Sequence, residues 1–215
     1  MRLKAHGHEV FTPSLTGIGE RVHLAGPQVG LTTHVHDVVN TILYEDLNEI
    51  VLLGFSYGGM VVTGALDHAG DRVRHLVLLD AFVPDDGDSV RSLLGAGPPP
   101  PIALGEPWAV PPTVRRYDDP EEAAFAAARS SPHPAGCFTE PVRLSRPLEE
   151  WPFSRTYVRA SADDPDAPGT AAFEAAVART KGSAAWRYTE IATNHMIAVN
   201  RPDELVELLL ALDDR

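Results

Sequence analysis

The sequence has little cysteine, little positive charge and no long apolar run. Its one cysteine, Cys137, has no partner for an intrachain disulfide, which excludes the disulfide-stapled scaffolds. Eighteen Lys and Arg stand against thirty Asp and Glu, a formal net charge of −12. Such a field repels phosphate backbones and anionic lipid, so nucleic acid and membrane surfaces are poor partners. No apolar stretch approaches the roughly 20 residues needed to span a bilayer. The opening Met1-Arg2-Leu3-Lys4-Ala5-His6-Gly7-His8 has no apolar signal-peptide core. A soluble, cytoplasmic protein is expected. What is present is ordinary for a folded domain: 215 residues, 44% hydrophobic and 22% charged, enough for one domain or one domain with an inserted subdomain. No period of 20–50 residues repeats, which argues against solenoids and propellers.

Apolar segments alternate with helical patterns, the arrangement of βαβ units around a parallel sheet. A short strand is expected over Glu9–Thr12, followed by a Gly- and Pro-rich loop. Val35, Val38, Val39, Ile42 and Leu43 recur at helical spacing, with Thr32 or Thr33 as N-cap. Ile50–Leu53 is a continuous apolar run, as in strands covered on both faces. A helix over Gly58–Ala69 and a strand over Val73–Leu79 follow. From Asp85 to Pro152 the texture changes: Pro98–Pro101 are consecutive, and Pro107, Pro111, Pro112, Pro120, Pro132 and Pro134 come after. Only Pro120–Arg129 reads as a helix. A structureless loop that long is rare in a compact domain unless it is functional, so residues 85–152 read as a lid inserted into a core of residues 1–84 and 153–215. The core resumes with a strand at Thr156–Val158, a helix around Thr170–Thr180, a strand at Trp186–Ile191 and a helix over Pro202–Leu212, whose Pro202, Asp203 and Glu204 suit a first turn.

The sharpest chemical signal is Gly54-Phe55-Ser56-Tyr57-Gly58, a G-x-S-x-G between a buried strand and a helix. A nucleophile on so sharp a turn has strained backbone angles and needs glycines where neighbouring backbone closes in. The turn lifts the Ser56 hydroxyl clear of the sheet. It also places the Tyr57 N–H at a helix N-terminus, where it can stabilise an oxyanion. A serine hydroxyl is a weak nucleophile until a base takes its proton and an acid orients that base. His195, between the last strand and the last helix, is the base expected from the chain order Ser, acid, His. For the acid, Ser161-Ala162-Asp163-Asp164-Pro165-Asp166 follows a strand. Asp163 is favoured and Asp164 comes next, while Asp80, at the end of Val73–Leu79, is a further strand-end carboxylate. Phe55, Trp108, Phe125, Phe138 and Met196 are candidate walls of a substrate pocket, with anchoring of the lid to the core as the equal alternative for Trp108, Phe125 and Phe138. His34-Val35-His36-Asp37 looks like a metal tract, but residues two apart on a helix face opposite sides, so no metal site is expected. Cys137 has no basic cluster to activate it.

Gly54-Phe55-Ser56-Tyr57-Gly58-Gly59-Met60-Val61, with Thr12-Pro13-Ser14-Leu15-Thr16-Gly17 before it and Leu79-Asp80-Ala81-Phe82-Val83-Pro84 after it, resembles the α/β-hydrolase superfamily. More narrowly, it is similar to the branch of plant methylesterases, hydroxynitrile lyases and bacterial esterases such as pyrethroid hydrolases. The resemblance implies an α/β fold, a mostly parallel sheet flanked by helices, with Ser56, His195 and Asp163 as the triad. It implies no cofactor and a small-molecule ester as substrate. Lyases of the branch carry a lysine after the histidine; Met196 stands there in this chain, which argues for ester hydrolysis. Two features depart from the pattern. Phe55 replaces a usual histidine. The chain also opens at a segment like the end of the family's first helix, so an N-terminally truncated fold is expected, lacking a central strand and the His-Gly loop with the second oxyanion N–H. That departure keeps a catalytically inactive binding protein in view; a hydroxynitrile lyase-like C–C lyase on the same fold is the other alternative, and would need a cationic group near the histidine.

Overall fold

The computed structural model describes residues 2–96, 108–164 and 169–212. In the first part, α1 (Arg2–Ala5) and α2 (Leu31–Tyr44) lead to β1 (Ile50–Phe55), α3 (Gly58–Ala69) and β2 (Val73–Leu79). The middle holds α4 (Val90–Leu93), β3 (Ala109–Val110), α5 (Pro120–Ala127), β4 (His133–Pro134) and α6 (Gly136–Thr139). The last part runs through β5 (Ser154–Ala160), α7 (Thr170–Lys181), β6 (Arg187–Ile191), α8 (Ile197–Asn200) and α9 (Pro202–Leu210). Strands β1, β2, β5 and β6 form one parallel sheet in that spatial order. Among the described residues no helix is long and apolar enough to cross a membrane.

The apolar runs are explained by layers on both faces of the sheet. Leu76 and Leu78 of β2 pack with Leu52, Val62, Leu66 and Tyr157 on the α3 side. Their alternates Val77 and Leu79 pack with Val158, Ala160, Ile191 and Leu205 on the α9 side. This period-2 alternation with apolar residues both ways is what a doubly covered strand requires. Register then places the functional ends. Phe55 pairs with Leu79, Leu79 with Val158, and Ala160 with Ile191. The loops leaving all four strands therefore open on one carboxyl edge, the usual site of ligands in open α/β sheets.

Several expectations need correction. Glu9–Thr12 is not a strand: it forms no ladder, because no strand among the described residues lies beside it. Helix α2 begins at Leu31 with Gly30 at the N-cap. Thr32 sits inside the helix, and the remote Glu140 carboxylate accepts from the Thr32 N–H at 3.0 Å and its hydroxyl at 2.5 Å. The 85–152 stretch is more structured than its prolines suggest. It holds an antiparallel β3–β4 pair and short helices besides α5, whose first turn is capped by Asp119 accepting from Glu121 N–H at 2.8 Å. Pro98–Pro101, Pro107 and Asp166 lie outside the described residues.

Glycine is needed at two places around the elbow. A Cβ on Gly54 would meet Val62 at 2.6 Å and the Gly58 carbonyl at 2.7 Å, and one on Gly59 would meet the Phe82 carbonyl at 2.3 Å. Gly58 itself has open space. Backbone at Phe82 cannot swing aside, so Gly59→Ala is expected to destabilise the fold by about 1–3 kcal/mol. Urea unfolding would show a lower midpoint at an unchanged slope.

Candidate active site

Strand β1 ends at Phe55 and the chain turns at once. Ser56 has φ +54°, a left-handed conformation rare for a residue with a side chain and costing on the order of 1–3 kcal/mol. Surrounding hydrogen bonds hold it there. Ser56 N–H donates to Leu79 O at 3.3 Å, while Ser56 O accepts from Gly59 N–H at 3.1 Å and Phe82 N–H at 3.3 Å. Tyr57 then enters helical angles, φ −54° and ψ −32°, so its N–H lies at the start of α3. One strand over, Asp80 is also left-handed, with φ +42°.

These two strained residues meet His195. The Ser56 Oγ lies 2.9 Å from His195 Nε2, and His195 Nδ1 lies 2.7 Å from Asp80 Oδ2. Asp80 is fully buried and His195 is 3% exposed, while Ser56 is half-buried. A carboxylate can only accept, so Nδ1 carries the proton and Nε2 accepts from the serine hydroxyl. The other oxygen of Asp80 accepts from Arg159 Nη1 at 2.6 Å and Ala160 N–H at 3.1 Å. Two aromatic rings pack on the imidazole: Phe55, centroids 4.6 Å apart, and Phe173, stacked at 5.2 Å and 17°. Asn194 shapes the turn, its Oδ1 accepting from Met196 N–H at 3.0 Å and Asn200 Nδ2 at 2.8 Å.

The carboxylate on His195 is thus Asp80, where the sequence favoured Asp163. Asp163 stands nearby: it, Asp80 and His195 each have a nitrogen or oxygen within 4.8 Å of the other two. Its Oδ1, however, accepts from Asp164 N–H at 3.0 Å, and Asp164 is exposed. The reason is register. Both acids follow strands whose ends lie on the same edge, but β2 neighbours β1, so Asp80 is adjacent to the elbow. Asp80, Asp163 and His195 are also the described groups able to ligate a cation. Asp80 and His195 already bond each other, and Arg159 supplies the local positive charge.

Behind Ser56, the Tyr57 ring is buried and its hydroxyl lies 2.9 Å from His34 Nδ1. His34 Nε2 lies 2.8 Å from Thr16 O. A carbonyl only accepts, so Nε2 donates and Nδ1 accepts from Tyr57. Burial lowers the pKa of His34 and raises that of Tyr57 well above the usual phenol. Asp37, one turn on, accepts from Thr16 N–H at 2.6 Å and its hydroxyl at 3.0 Å. His36 is exposed, so the His34–Asp37 tract spends its buried members on holding the Thr16 loop. Burial pushes the Cys137 thiol up to about 11, which keeps it protonated at neutral pH.

The expected pocket residues divide. Phe55 packs on His195, and Phe138 packs on Tyr57 at 5.7 Å. Trp108 is half-buried, with its carbonyl accepting from Ala135 N–H at 2.7 Å. Phe125 is 56% exposed and carries the Arg129 guanidinium 3.8 Å above its ring, so it faces solvent. Met196, next to His195 in the chain, is half-buried. Sequence reading missed Arg159, Glu174 and Phe173. Arg159 lies just past the strand expected at Thr156–Val158, and the other buried arginine of β5, Arg155, donates to the Ala185 and Trp151 carbonyls, so burial alone did not mark an acid partner.

The model of the alpha/beta hydrolase family matches residues 1–208, and the chain belongs to that family. Over 101 residues it is 48% identical to a carbendazim-hydrolysing esterase of Nocardioides sp. (strain SG-4G), a stretch covering 47% of this chain and 42% of that esterase. The match thus spans less than half the length of that relative. Its fold is similar to an extracellular alpha/beta-hydrolase from a Paenibacillus species (TM-score 0.77, 22% identity, 97% of this chain and 89% of that one). It is also similar to a methylesterase from Arabidopsis (0.76, 20%, 99% and 90%) and a pyrethroid hydrolase from Sphingobium faniae (0.72, 21%, 99% and 89%). The resemblance read from Gly54–Val61 and its flanks holds at the level of family and fold.

Proposed function

We propose that the protein hydrolyses small carboxylic esters through an acyl-enzyme on Ser56. The observation carrying this reading is the unbroken chain Ser56 Oγ–His195 Nε2 at 2.9 Å and His195 Nδ1–Asp80 Oδ2 at 2.7 Å. In the first half-reaction His195 Nε2 takes the hydroxyl proton as Ser56 Oγ attacks the ester carbonyl. The Tyr57 N–H donates to the oxyanion, and one such donor is worth roughly 10²–10³ in rate. The tetrahedral intermediate collapses, the C–O bond to the alcohol breaks, and His195 returns its proton to the departing alkoxide. Water then attacks the acyl-serine with His195 again as base, releasing the acid and restoring the serine. Asp80 stays ionised throughout, fixing the tautomer and stabilising the imidazolium.

Similarity to a carbendazim-hydrolysing esterase, and in fold to a methylesterase and a pyrethroid hydrolase, supports an ester as substrate class. Residues 85–152 serve in this reading as a lid. In support, Asp118 accepts from Arg201 at 2.6 Å and donates its N–H to Asn200 Oδ1 at 3.0 Å, just beyond the His195 turn. A free, buried Cys137 suits the cytoplasmic placement expected from the sequence. The test is a fluorophosphonate probe on the full chain. The wild type is expected to take up one equivalent and Ser56→Ala none; a folded wild type that stays unlabelled would favour the binding-protein alternative.

A further inference from the structure

Arg159 is 7% exposed in a strand built to be buried. Its guanidinium bridges two carboxylates, with Nη1 donating to Asp80 Oδ1 at 2.6 Å and Nη2 to Glu174 Oε1 at 2.8 Å. Asp80 is inaccessible to solvent, whereas the Glu174 side chain is 60% exposed. The Phe173 ring lies 6.0 Å from the guanidinium and also stacks on His195. Arg159 therefore takes the one oxygen of Asp80 that His195 does not use.

The geometry points to Arg159 as a positioning residue for the proposed hydrolysis, acting through Asp80: it fixes which carboxylate oxygen faces His195 and sets how tightly the Asp80–His195 pair holds a proton. This rests on the reading of Ser56, His195 and Asp80 given above. With neutral imidazole the pair carries one negative charge, and on protonation it carries none. A cation beside the pair favours the charged form. Removing that cation raises the pair's proton affinity wherever the proton settles, because the two groups titrate as a unit. Other charged or titratable groups also face the pair. Asp163 approaches from the loop after β5, within 4.8 Å. Arg115, half-buried ahead of α5, is felt by Asp163 and Asp80. Tyr157 of β5 donates to Ala81 O at 3.2 Å rather than to Asp80. Glu174 of α7 acts through Arg159.

Three substitutions separate charge from geometry. An opposite charge at contact distance moves an acid by about 1–3 pH units, so Arg159→Met is expected to raise the midpoint of the pair's titration by about one unit or more. Arg159→Lys keeps the charge but loses the two-pronged fork. Its midpoint stays within about half a unit while kcat falls and KM holds. Glu174→Gln removes an exposed negative charge beyond Arg159 and lowers the midpoint by a few tenths, roughly the size of a screened surface interaction.

The experiment follows the His195 imidazole by ¹⁵N NMR against pH in full-length protein carrying Ser56→Ala, so that no turnover is needed. His195→Gln assigns the resonance. The expected result is an upward shift in Arg159→Met and a downward one in Glu174→Gln. Unchanged midpoints in both overturn the proposal. Should Arg159→Met not fold, Glu174→Gln decides alone, and a shift that is absent or upward overturns it. Failure of the esterase reading shows separately, as a wild type that takes up no fluorophosphonate while these shifts remain.

Discussion

In the proposed hydrolysis, Asp80→Asn is expected to lower kcat/KM by about 10⁴-fold, the loss seen when an asparagine replaces the acid of a serine triad. The buried carboxylate holds the His195 proton on Nδ1 at 2.7 Å and leaves Nε2 free to accept from Ser56. An amide can present its NH₂ to Nδ1 instead, which forces the proton onto Nε2 and blocks the base. The imidazolium that forms in the transition state also loses its counter-charge. Asp163→Asn is expected to cost less than about tenfold, because a part-exposed carboxylate without a bond to His195 acts only through a screened field. Steady-state kinetics on a chromogenic short-chain ester compares the two directly. The reverse ranking would return the role of acid to Asp163.

His195→Ala and Ser56→Ala are each expected to lower kcat of the proposed hydrolysis by about 10⁶-fold, with the double variant no worse than either alone. The two groups act as one device: the hydroxyl without its base is an ordinary alcohol, and the base without the hydroxyl has no proton to move. What survives is the oxyanion contribution of the Tyr57 N–H and binding. Independent contributions would instead multiply the two losses in the double variant.

How far the sequence discloses this arrangement depends on whether a feature is local. Ser56 is legible because glycine, serine and the strand-to-helix switch lie within a few residues. The close approaches at Gly54 and Gly59 are the physical reason those residue types are there. The strands of the core are legible because burial on two faces demands continuous apolar runs. The acid is not local. Choosing between Asp80 and Asp163 requires knowing that β2 lies next to β1, and strand order is a pairing fact that no hydrophobic pattern carries. Glu9–Thr12 illustrates the same limit: its composition suits a strand, but a strand exists only with a partner edge. The first-turn N–H of Thr32 in α2 is satisfied by Glu140, 108 positions downstream, which no local capping rule anticipates. The role of Arg159 is not legible either: its strand, Ser154–Ala160, holds a second buried arginine, Arg155, that donates to the Ala185 and Trp151 carbonyls and not to a carboxylate.

The most direct measurement is peptide mass mapping after rapid acid quench of the full chain during turnover of a chromogenic ester. An acyl adduct is expected on the Ser56 peptide of the wild type, with both adduct and turnover lost in Ser56→Ala. Ester cleavage that continues undiminished in Ser56→Ala, with no acyl mass on the Ser56 peptide of the wild type, would contradict an acyl-enzyme on Ser56.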